Sequence, residues 1–271
     1  MTLELLVCTH NGRIHSASEL LLPEMPRVRY LVAWQCTTPE AIAMPVPQCM
    51  TNRKDVLVVR TATSGLSVNR NIAMKHATAD ILLIADDDCR YRPEQLRSII
   101  QAYADHPEAD IITFRMENMD GTLMKDYPVH PFEWTSAPRA SYVCSCEISF
   151  RNKTTLPHFD THFGIGAPLL GCAEEEVWLY DSIHGSPHAK ALYLPLTIGR
   201  TPSGTTGTRF LEDESVQRAK GAMIRILHKP LPAAMRIIKT ALLAPLGLMG
   251  KWRILCQMAC GARFISRIRK L

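Results

Sequence analysis

The chain has 271 residues, 46% of them hydrophobic, 21% charged and 7% aromatic. That length and balance support a sizeable core and exclude wholesale disorder, a collagen-like fibre and a small scaffold stapled by disulfides. The net charge of +5 is unevenly placed, because 12 of the 31 Lys and Arg fall between Ser215 and Leu271 while none of the 26 Asp and Glu follows Glu214.

Residues 1–214 thus carry about −7 and residues 215–271 about +12, an asymmetry that reads as two functional regions. The nine cysteines are an odd number without framework spacing, and the N-terminus lacks the basic start, apolar run and cleavage site of a signal peptide. A reducing cytosol is the compartment this implies. Cys144 and Cys146 occupy alternate positions of an expected strand, and Cys256 and Cys260 lie one helical turn apart. Neither pair has a second ligand pair at zinc-finger spacing, so packing is favoured over zinc.

In chain order, the apolar run Leu3 to Cys8 stops at the polar cluster Thr9-His10-Asn11-Gly12 and predicts a strand followed by a loop. Val28 to Trp34 and Asp55 to Val59 repeat that form, and Ile81 to Ala85 ends abruptly in Asp86-Asp87-Asp88. A helix over Ser67 to Ala77 precedes this last strand at crossover distance, so the pattern predicts a parallel, doubly wound sheet. Pro93-Glu94 opens another helix, with Leu96, Ile99, Ile100 and Tyr103 on one face, and His106-Pro107 closes it. Strands are predicted over Ile111 to Phe114 and Val143 to Phe150. Pro157 to Gly171 reads as a shaped loop over a site, and Glu174-Glu175-Glu176 begins a helix whose dipole favours acids. Beyond Arg218 the chain turns apolar and basic. Arg236, Lys239 and Pro245 interrupt its greasiest stretch, Leu231 to Gly250, which makes it a poor membrane span. Met235, Ile237, Ile238, Leu242 and Leu243 beside cations predict amphipathic helices lying in a membrane interface.

The Asp triplet falls where the carboxyl edge of a parallel sheet is expected, and ligand sites of α/β folds lie at that edge. With the backbone extended, Asp86 and Asp88 share a side, where Mg²⁺ or Mn²⁺ can bridge them to phosphate oxygens; a solvated Asp-rich turn is the alternative. Gly65-Leu66-Ser67-Val68-Asn69-Arg70-Asn71 places a glycine, a capping hydroxyl and an arginine at a helix start suited to an anion, or equally to an ordinary Ser-capped helix. Together the two features describe a metal-assisted nucleotide diphosphate site better than either does alone.

In these motifs and their order the chain resembles the family 2 glycosyltransferases. The matching segments are Thr9-His10-Asn11 after the first strand, Gly65-Leu66-Ser67-x-x-Arg70-Asn71 after the third, and the DXD-type Asp86-Asp87-Asp88 after the fourth. They continue with the serine-containing strand ending in Phe150-Arg151 and with Phe163-Gly164-x-Gly166-Ala167-Pro168 leading to the acidic Glu174-Glu175. The resemblance covers about residues 3–200. It implies a GT-A fold, with a Rossmann-like, mixed and mainly parallel sheet flanked by helices, and an inverting transfer that depends on a metal, Mn²⁺ or Mg²⁺. It also implies a nucleotide-sugar donor, a UDP-sugar first among them. By it, Asp86 and Asp88 lie at the metal-diphosphate site with Asp88 the direct ligand, and Asp87 contacts ribose or sugar. Ser67, Arg70 and Asn71 line the nucleotide side, Thr9 lies near the base or ribose, and Glu175 is the general base with Glu174 its neighbour.

Two departures stand out. Leu31 to Cys36 replaces the acidic second-strand motif, with Gln35 where relatives read the base through Asp. No Gln-x-x-Arg-Trp follows, which argues against a processive synthase. His184 and His188 are candidates for an additional metal ligand, with surface-loop histidines the favoured reading, and Thr201 to Gly207 is a lid or an ordinary linker.

The expected organisation is a catalytic domain over residues 1–214 and a basic, amphipathic, membrane-associating helical tail over 215–271, the tail as a packed helical subdomain being the alternative. The expected acceptor is a cell-envelope glycan or lipid-linked saccharide, with an anionic membrane surface as partner, at the cytoplasmic face of the membrane. The tail's few aromatics argue against nucleic acid. The competing functions are a non-catalytic membrane scaffold that keeps the fold and a sugar nucleotidyltransferase, whose glycine-rich triphosphate loop is absent.

Overall fold

The first strand, β1 (Leu3–His10), is buried along nearly its whole length, as an apolar run covered on both faces must be. It pairs in parallel with β2 (Val28–Gln35) and β4 (Ile81–Asp86), and β2 pairs in parallel with the edge strand β3 (Val56–Thr61). Short helices α1 (Ile14–Glu19), α2 (Pro39–Ala43) and α3 (Gln48–Thr51) fill the connections, and α4 (Leu66–His76) makes the crossover from β3 to β4. After α5 (Pro93–Asp105) come β5 (Ile111–Asn118), β6 (Phe132–Glu133), β7 (Ile148–Arg151), α6 (Glu174–His184) and β8 (Ala191–Thr201). The C-terminal region is helical, with α7 (Glu214–Leu227), α8 (Pro230–Leu243) and α9 (Leu248–Arg269). This computed structural model describes every residue except Ser186, Ser203 and Thr205. The expected lid therefore lies partly outside the described residues.

The eight strands form one sheet in the order β3-β2-β1-β4-β7-β5-β8-β6. It is mixed and mainly parallel, because β7 runs antiparallel to both β4 and β5, and β6 runs antiparallel to β8. Leu5, Val7, Leu83, Phe114 and Tyr103 meet in its core. Glu4 is buried within β1, where its Oε2 accepts from the backbone N–H groups of Thr78 and Ala79 at 2.8 and 3.3 Å. That pairing satisfies a carboxylate which would otherwise be costly to bury. Residues 143–150, expected as one strand, divide. Ser145–Glu147 form a 3-10 turn and only Ile148–Arg151 are extended, so Cys144 and Cys146 do not alternate along a strand face.

The chain forms two compact units, the first comprising Met1–Ser64, Val68–His158 and Asp181–Ser203 and containing the whole sheet. The second comprises Gly65–Ser67, Phe159–Tyr180 and Gly204–Leu271. In it α7, α8 and α9 share a core with Phe163, Leu170, Ala173 and Val177. Asp213 caps α7 by accepting from the N–H groups of Ser215 and Val216 at 2.9 and 3.4 Å. Of the residues expected on a membrane-facing surface, Ile237 is buried with Ala233 and Ala241 while Leu243 is exposed, and the outward stripe of α8 joins Leu231 to the expected Met235, Ile238 and Leu242. The spacing of i, i+4, i+7 and i+11 keeps those four on one face.

Helices α7 and α9 approach so closely that backbone meets backbone. A Cβ at Gly221 would overlap the Met258 carbonyl, and one at Gly261 would overlap the Arg218 carbonyl. Gly221→Ala and Gly261→Ala should each cost about 1–3 kcal/mol, the usual range for overpacking. The measurement is the chemical denaturation midpoint, with Gly247→Ala as the control that stays near wild type, since open space surrounds that position.

Candidate functional site

Because β1, β2 and β4 run in parallel and in register, their carboxyl ends meet at one sheet edge: Thr9 stands opposite Trp34, His10 opposite Gln35 and Cys8 opposite Asp86. Asn69, from α4, ties two of these ends together by donating from Nδ2 to the Thr9 and Ala33 carbonyls at 3.2 and 2.9 Å. Gln35 is buried at the end of β2 and donates to Thr63 Oγ1 at 3.1 Å. The Cys8 thiol, buried beside Asp86 and Asp87, is pushed up to about 12 mainly by burial, with Arg70 opposing, and stays protonated at neutral pH.

Strand β4 ends at Asp86, and the backbone then turns, with the Cys89 N–H donating to the Asp86 carbonyl at 3.0 Å. The extended geometry that would put Asp86 and Asp88 on one side is thereby replaced by a turn that sets the three carboxylates among Ser145, Arg70, Thr9 and Arg13. Asp86 accepts from Ser145 Oγ at 3.0 Å and lies 3.5 Å from the buried Arg70 guanidinium. Asp87 is buried. It accepts from Thr9 Oγ1 at 2.7 Å and is held by Arg13, whose Nε lies 2.9 and 3.0 Å from its two oxygens and whose Nη2 also contacts it. The same Nη2 reaches Asp88 at 3.0 Å. Burial and the charges of Asp86 and Asp87 raise the Asp88 pKa, and Arg13 offsets them only in part.

Arg13 belongs to no motif in the sequence, yet it offsets Asp87 and Asp88 as Arg70 offsets Asp86, which lets three adjacent carboxylates coexist. It sits at the end of the 3-10 turn Asn11–Arg13. That turn is fixed by the left-handed Asn11, whose carbonyl accepts from Trp34 Nε1 at 2.8 Å and whose Oδ1 accepts from the Thr37 N–H at 2.8 Å. Its signal in the sequence is charge alone, a lone basic residue just past a strand. Ser145 was also missed, because it rides on the 3-10 turn. Buried Glu147 holds that turn by accepting from the Cys144 N–H at 3.0 Å, Lys125 Nζ at 2.8 Å and the Tyr127 hydroxyl at 2.6 Å. Burial raises the Glu147 pKa, against the pull of Lys125 and Tyr127.

Ser67, Glu174 and Glu175 fall in the second unit. Ser67 is buried and donates to the Phe163 carbonyl at 2.6 Å, while the Leu66 N–H donates to Ile165. Gly164, at φ +104°, sits where a Cβ would come within 3.0 Å of Ser67 Oγ and 3.2 Å of the Glu174 carboxyl carbon. The loop from Phe163 thus threads between the start of α4 and the start of α6. Glu174 is buried and Glu175 half-buried in the first turn of α6, where the helix dipole favours carboxylates. Partial burial first, and then the charges of Glu175, Glu174 and Glu176, raise the pKa of the half-buried Cys172 thiol. Arg70 and Asn71 lie one turn into α4, in the first unit.

Asp86 and Asp88 keep 37% and 36% of their side chains accessible. Two accessible carboxylates with a surplus of negative charge suit a hard divalent cation that takes its other ligands from phosphate and water. Among the described residues no three His, Cys, Asp or Glu side chains group to enclose a metal by themselves. His188 instead makes a 3.0 Å contact with the Ile183 carbonyl, and Cys256 and Cys260 are exposed.

A strand-end carboxylate cluster on a mixed, mainly parallel sheet is the GT-A arrangement, and the comparisons with known proteins agree. The family described as glycosyl transferase family 2 matches residues 27–164, about half of the chain. The chain belongs to glycosyl transferase family 2 and is a glycosyltransferase. Among solved structures it is similar to S. aureus TarS 1-349, with a TM-score of 0.58 and 17% identity over 99% of this chain and 73% of that one. The same protein in complex with UDP matches at 0.58 and 17% over 96% and 71%, and in complex with UDP-GlcNAc at 0.59 and 15% over 97% and 82%. At this identity the likeness is one of fold. No curated protein sequence matches the chain.

The raised Asp88 pKa carries a stability consequence. The folded chain holds the Asp88 proton to higher pH than the unfolded chain does, so ionising Asp88 costs stability once pH rises through its folded value. In metal-free protein, Asp88→Asn should therefore raise the melting temperature at pH 7, and the gain should shrink to nothing as pH falls below the ordinary carboxylate range. Thermal unfolding as a function of pH checks both parts.

Proposed function

We propose that this enzyme transfers a single hexosyl or N-acetylhexosaminyl unit, with inversion, from a nucleotide-sugar donor to a glycan or lipid-linked saccharide of the cell envelope. The observation that carries the reading is the turn at Asp86–Asp88, where Thr9 and Arg13 immobilise the middle carboxylate and leave the outer two accessible. The UDP and UDP-GlcNAc complexes of the similarly folded TarS support a UDP-sugar as donor.

In this reading Asp86 and Asp88 would hold Mn²⁺ or Mg²⁺. When bound, such an ion offsets the negative charge that develops on the departing diphosphate. Arg70 adds a buried positive charge beside Asp86 and, with Ser67 and Asn71, serves the nucleotide side; Thr9 and Gln35 mark the base and ribose end, and Asp87 contacts ribose or sugar. Glu175, with Glu174 beside it, takes the proton of the attacking acceptor hydroxyl. The new C–O bond then forms on the face of the sugar opposite the breaking bond to the diphosphate. On this reading residues 1–214 form the catalytic domain.

Residues 215–271 dock on an anionic membrane at its cytoplasmic face. Among the described residues no helix is long and apolar enough to cross a membrane. The outward stripe of α8 is apolar, with Arg236 and Lys239 exposed on the same helix. A helix of that kind lies in the interface, each nearby cation adding about 1 kcal/mol on an anionic surface.

Titration with UDP, GDP, dTDP and CMP, each with and without Mn²⁺, should show metal-dependent binding of one nucleotide, lost in Asp88→Asn. Glu175→Gln should leave that binding intact and reduce transfer by about 10²-fold or more, the scale of a lost general base. Binding without transfer in the wild type against every acceptor would instead favour a scaffold. Separately, the chain should sediment with anionic vesicles in a salt-dependent way, and Met235→Ser with Leu242→Ser should weaken partitioning by about tenfold or more, given 1.5–3 kcal/mol per buried aliphatic side chain.

A further inference from the structure

The outward face of α9 changes character along its length. Met249 and Trp252 are 89% and 66% exposed, Cys256 and Ala259 continue their face at helical spacing, and Arg263 and Arg267 end it. The opposite face, with Ile254, Met258, Gly261 and Ile265, is buried in the core of the second unit. Between the outward face and Leu169 runs an open groove of about 590 Å³, a volume within the range of small-molecule sites. Its floor is made of small side chains at Cys256, Ala259 and Cys260, which leave room for an occupant. Phe264 forms part of the wall and is held edge-on by His162 at 5.9 Å.

The two arginines are the informative feature. Among the described residues neither Arg263 nor Arg267 has a carboxylate partner, whereas Arg269, two residues on, is tied to Asp160 at 2.6 Å. They stand one turn apart, about 16–22 Å along the helix from Trp252 at 1.5 Å per residue. The groove is therefore apolar at one end and doubly cationic at the other, which is the complement of an amphiphile with an anionic head. A second copy of α9 fits poorly. No acidic residue follows Glu214, so a parallel pairing would set arginine against arginine, and an antiparallel one would press arginine against Met249 and Trp252. Next to Trp252 at the apolar end stand the exposed Leu248 and Met249, in the first turn of α9 and five and six residues past the exposed Leu243 that ends α8.

We propose that this groove binds a lipid phosphate, its hydrocarbon chain lying over Trp252, Cys256 and Ala259 and its phosphate held by Arg263 and Arg267. The inference rests on the membrane-side, lipid-linked acceptor reading and names where the lipid part of that acceptor is held. Arginine suits the head group because its planar fork pairs with phosphate oxygens.

The test is photo-labelling of the full chain by a diazirine-bearing prenyl phosphate in neutral phosphatidylcholine vesicles, with the matching prenyl alcohol as comparison. The expected result is labelling of the peptide spanning Trp252 to Arg267, about tenfold stronger for the phosphate, as one charge-assisted contact of about 1.4 kcal/mol would give. Arg263→Gln with Arg267→Gln should reduce phosphate labelling to the alcohol level. Ala259→Leu, which fills the floor, should weaken labelling while leaving sedimentation with phosphatidylglycerol vesicles unchanged. Equal labelling by alcohol and phosphate, or labelling indifferent to the arginine pair, would overturn the proposal. So would a dimer in sedimentation velocity that Ala259→Leu dissolves, which would make this face a self-interface. Repeating the labelling in detergent micelles, where no docking is needed, separates the two readings. Loss of vesicle sedimentation alone defeats the membrane reading, and absence of labelling in micelles defeats the groove.

Discussion

Three carboxylates in succession at a strand end repel one another, and two arginines answer them, Arg70 beside Asp86 and Arg13 at the other two. Arg13 clasps Asp87 through both of its oxygens and reaches Asp88, while the Thr9 hydroxyl completes Asp87. Remove that guanidinium and a buried charge is left with a single hydroxyl, an arrangement proteins avoid because desolvation is so costly. The rest of the edge follows from it. Asn11 must adopt its left-handed turn to aim Arg13, Trp34 must donate to Asn11, and β1 must lie in parallel beside both β2 and β4 for the three strand ends to coincide.

This division of labour makes Asp87 a structural centre and leaves its neighbours accessible. A carboxylate held by an arginine fixes the turn, whatever else it touches. Asp86 and Asp88, with a third of each side chain open to water, remain for a ligand. The Lys125–Glu147–Tyr127 cluster plays a similar supporting part at a distance from the edge. Glu147 at its centre is buried and hydrogen-bonded to both partners, and its consequence is the 3-10 turn that delivers Ser145 to Asp86. Buried ionic groups of this kind contribute little to net stability but fix one geometry over its alternatives, and a charge-dense edge requires one geometry.

In the second unit the dominant constraint is steric. Gly221 and Gly261 let α7 and α9 touch backbone to backbone, which draws the two helices together over small residues and commits their larger apolar side chains to one core with residues 163–177. Once that core is made, the aliphatic residues left over must face outward. They are concentrated in Leu231 to Trp252, a segment free of acids. It is these exposed apolar residues among cations that carry the membrane proposal. Membership of family 2 identifies the chemistry of the chain. The surface of its C-terminal helices is a feature of this sequence that a fold alone does not imply.

Much of this was legible along the chain. Local periodicity and turn chemistry placed the first four strands, α4, α5 and the start of α6 within a few residues, because those signals are carried by neighbours in sequence. The order of the Gly65–Asn71, Asp86–Asp88 and Phe163–Glu175 segments pointed to the family, and the absence of acids after Glu214 marked off the basic region. Tertiary structure alone decided the rest. Arg13 meets Asp87 across 74 residues, and nothing local to Arg13 announces it. Residues 143–150 read as a continuous strand until Glu147, recruited by Lys125 and Tyr127, bends the first half into a turn. On α8, apolar character showed that a face would be buried, but the spacing alone did not say which. Ile237 went inward and Leu231, Met235, Ile238 and Leu242 outward, because the core of the second unit had room for the narrow face carrying Ala233 and Ala241. Patterns of period two and period 3.6 are properties of short segments and survive in the sequence, whereas the choice of partner across the chain is made only by packing.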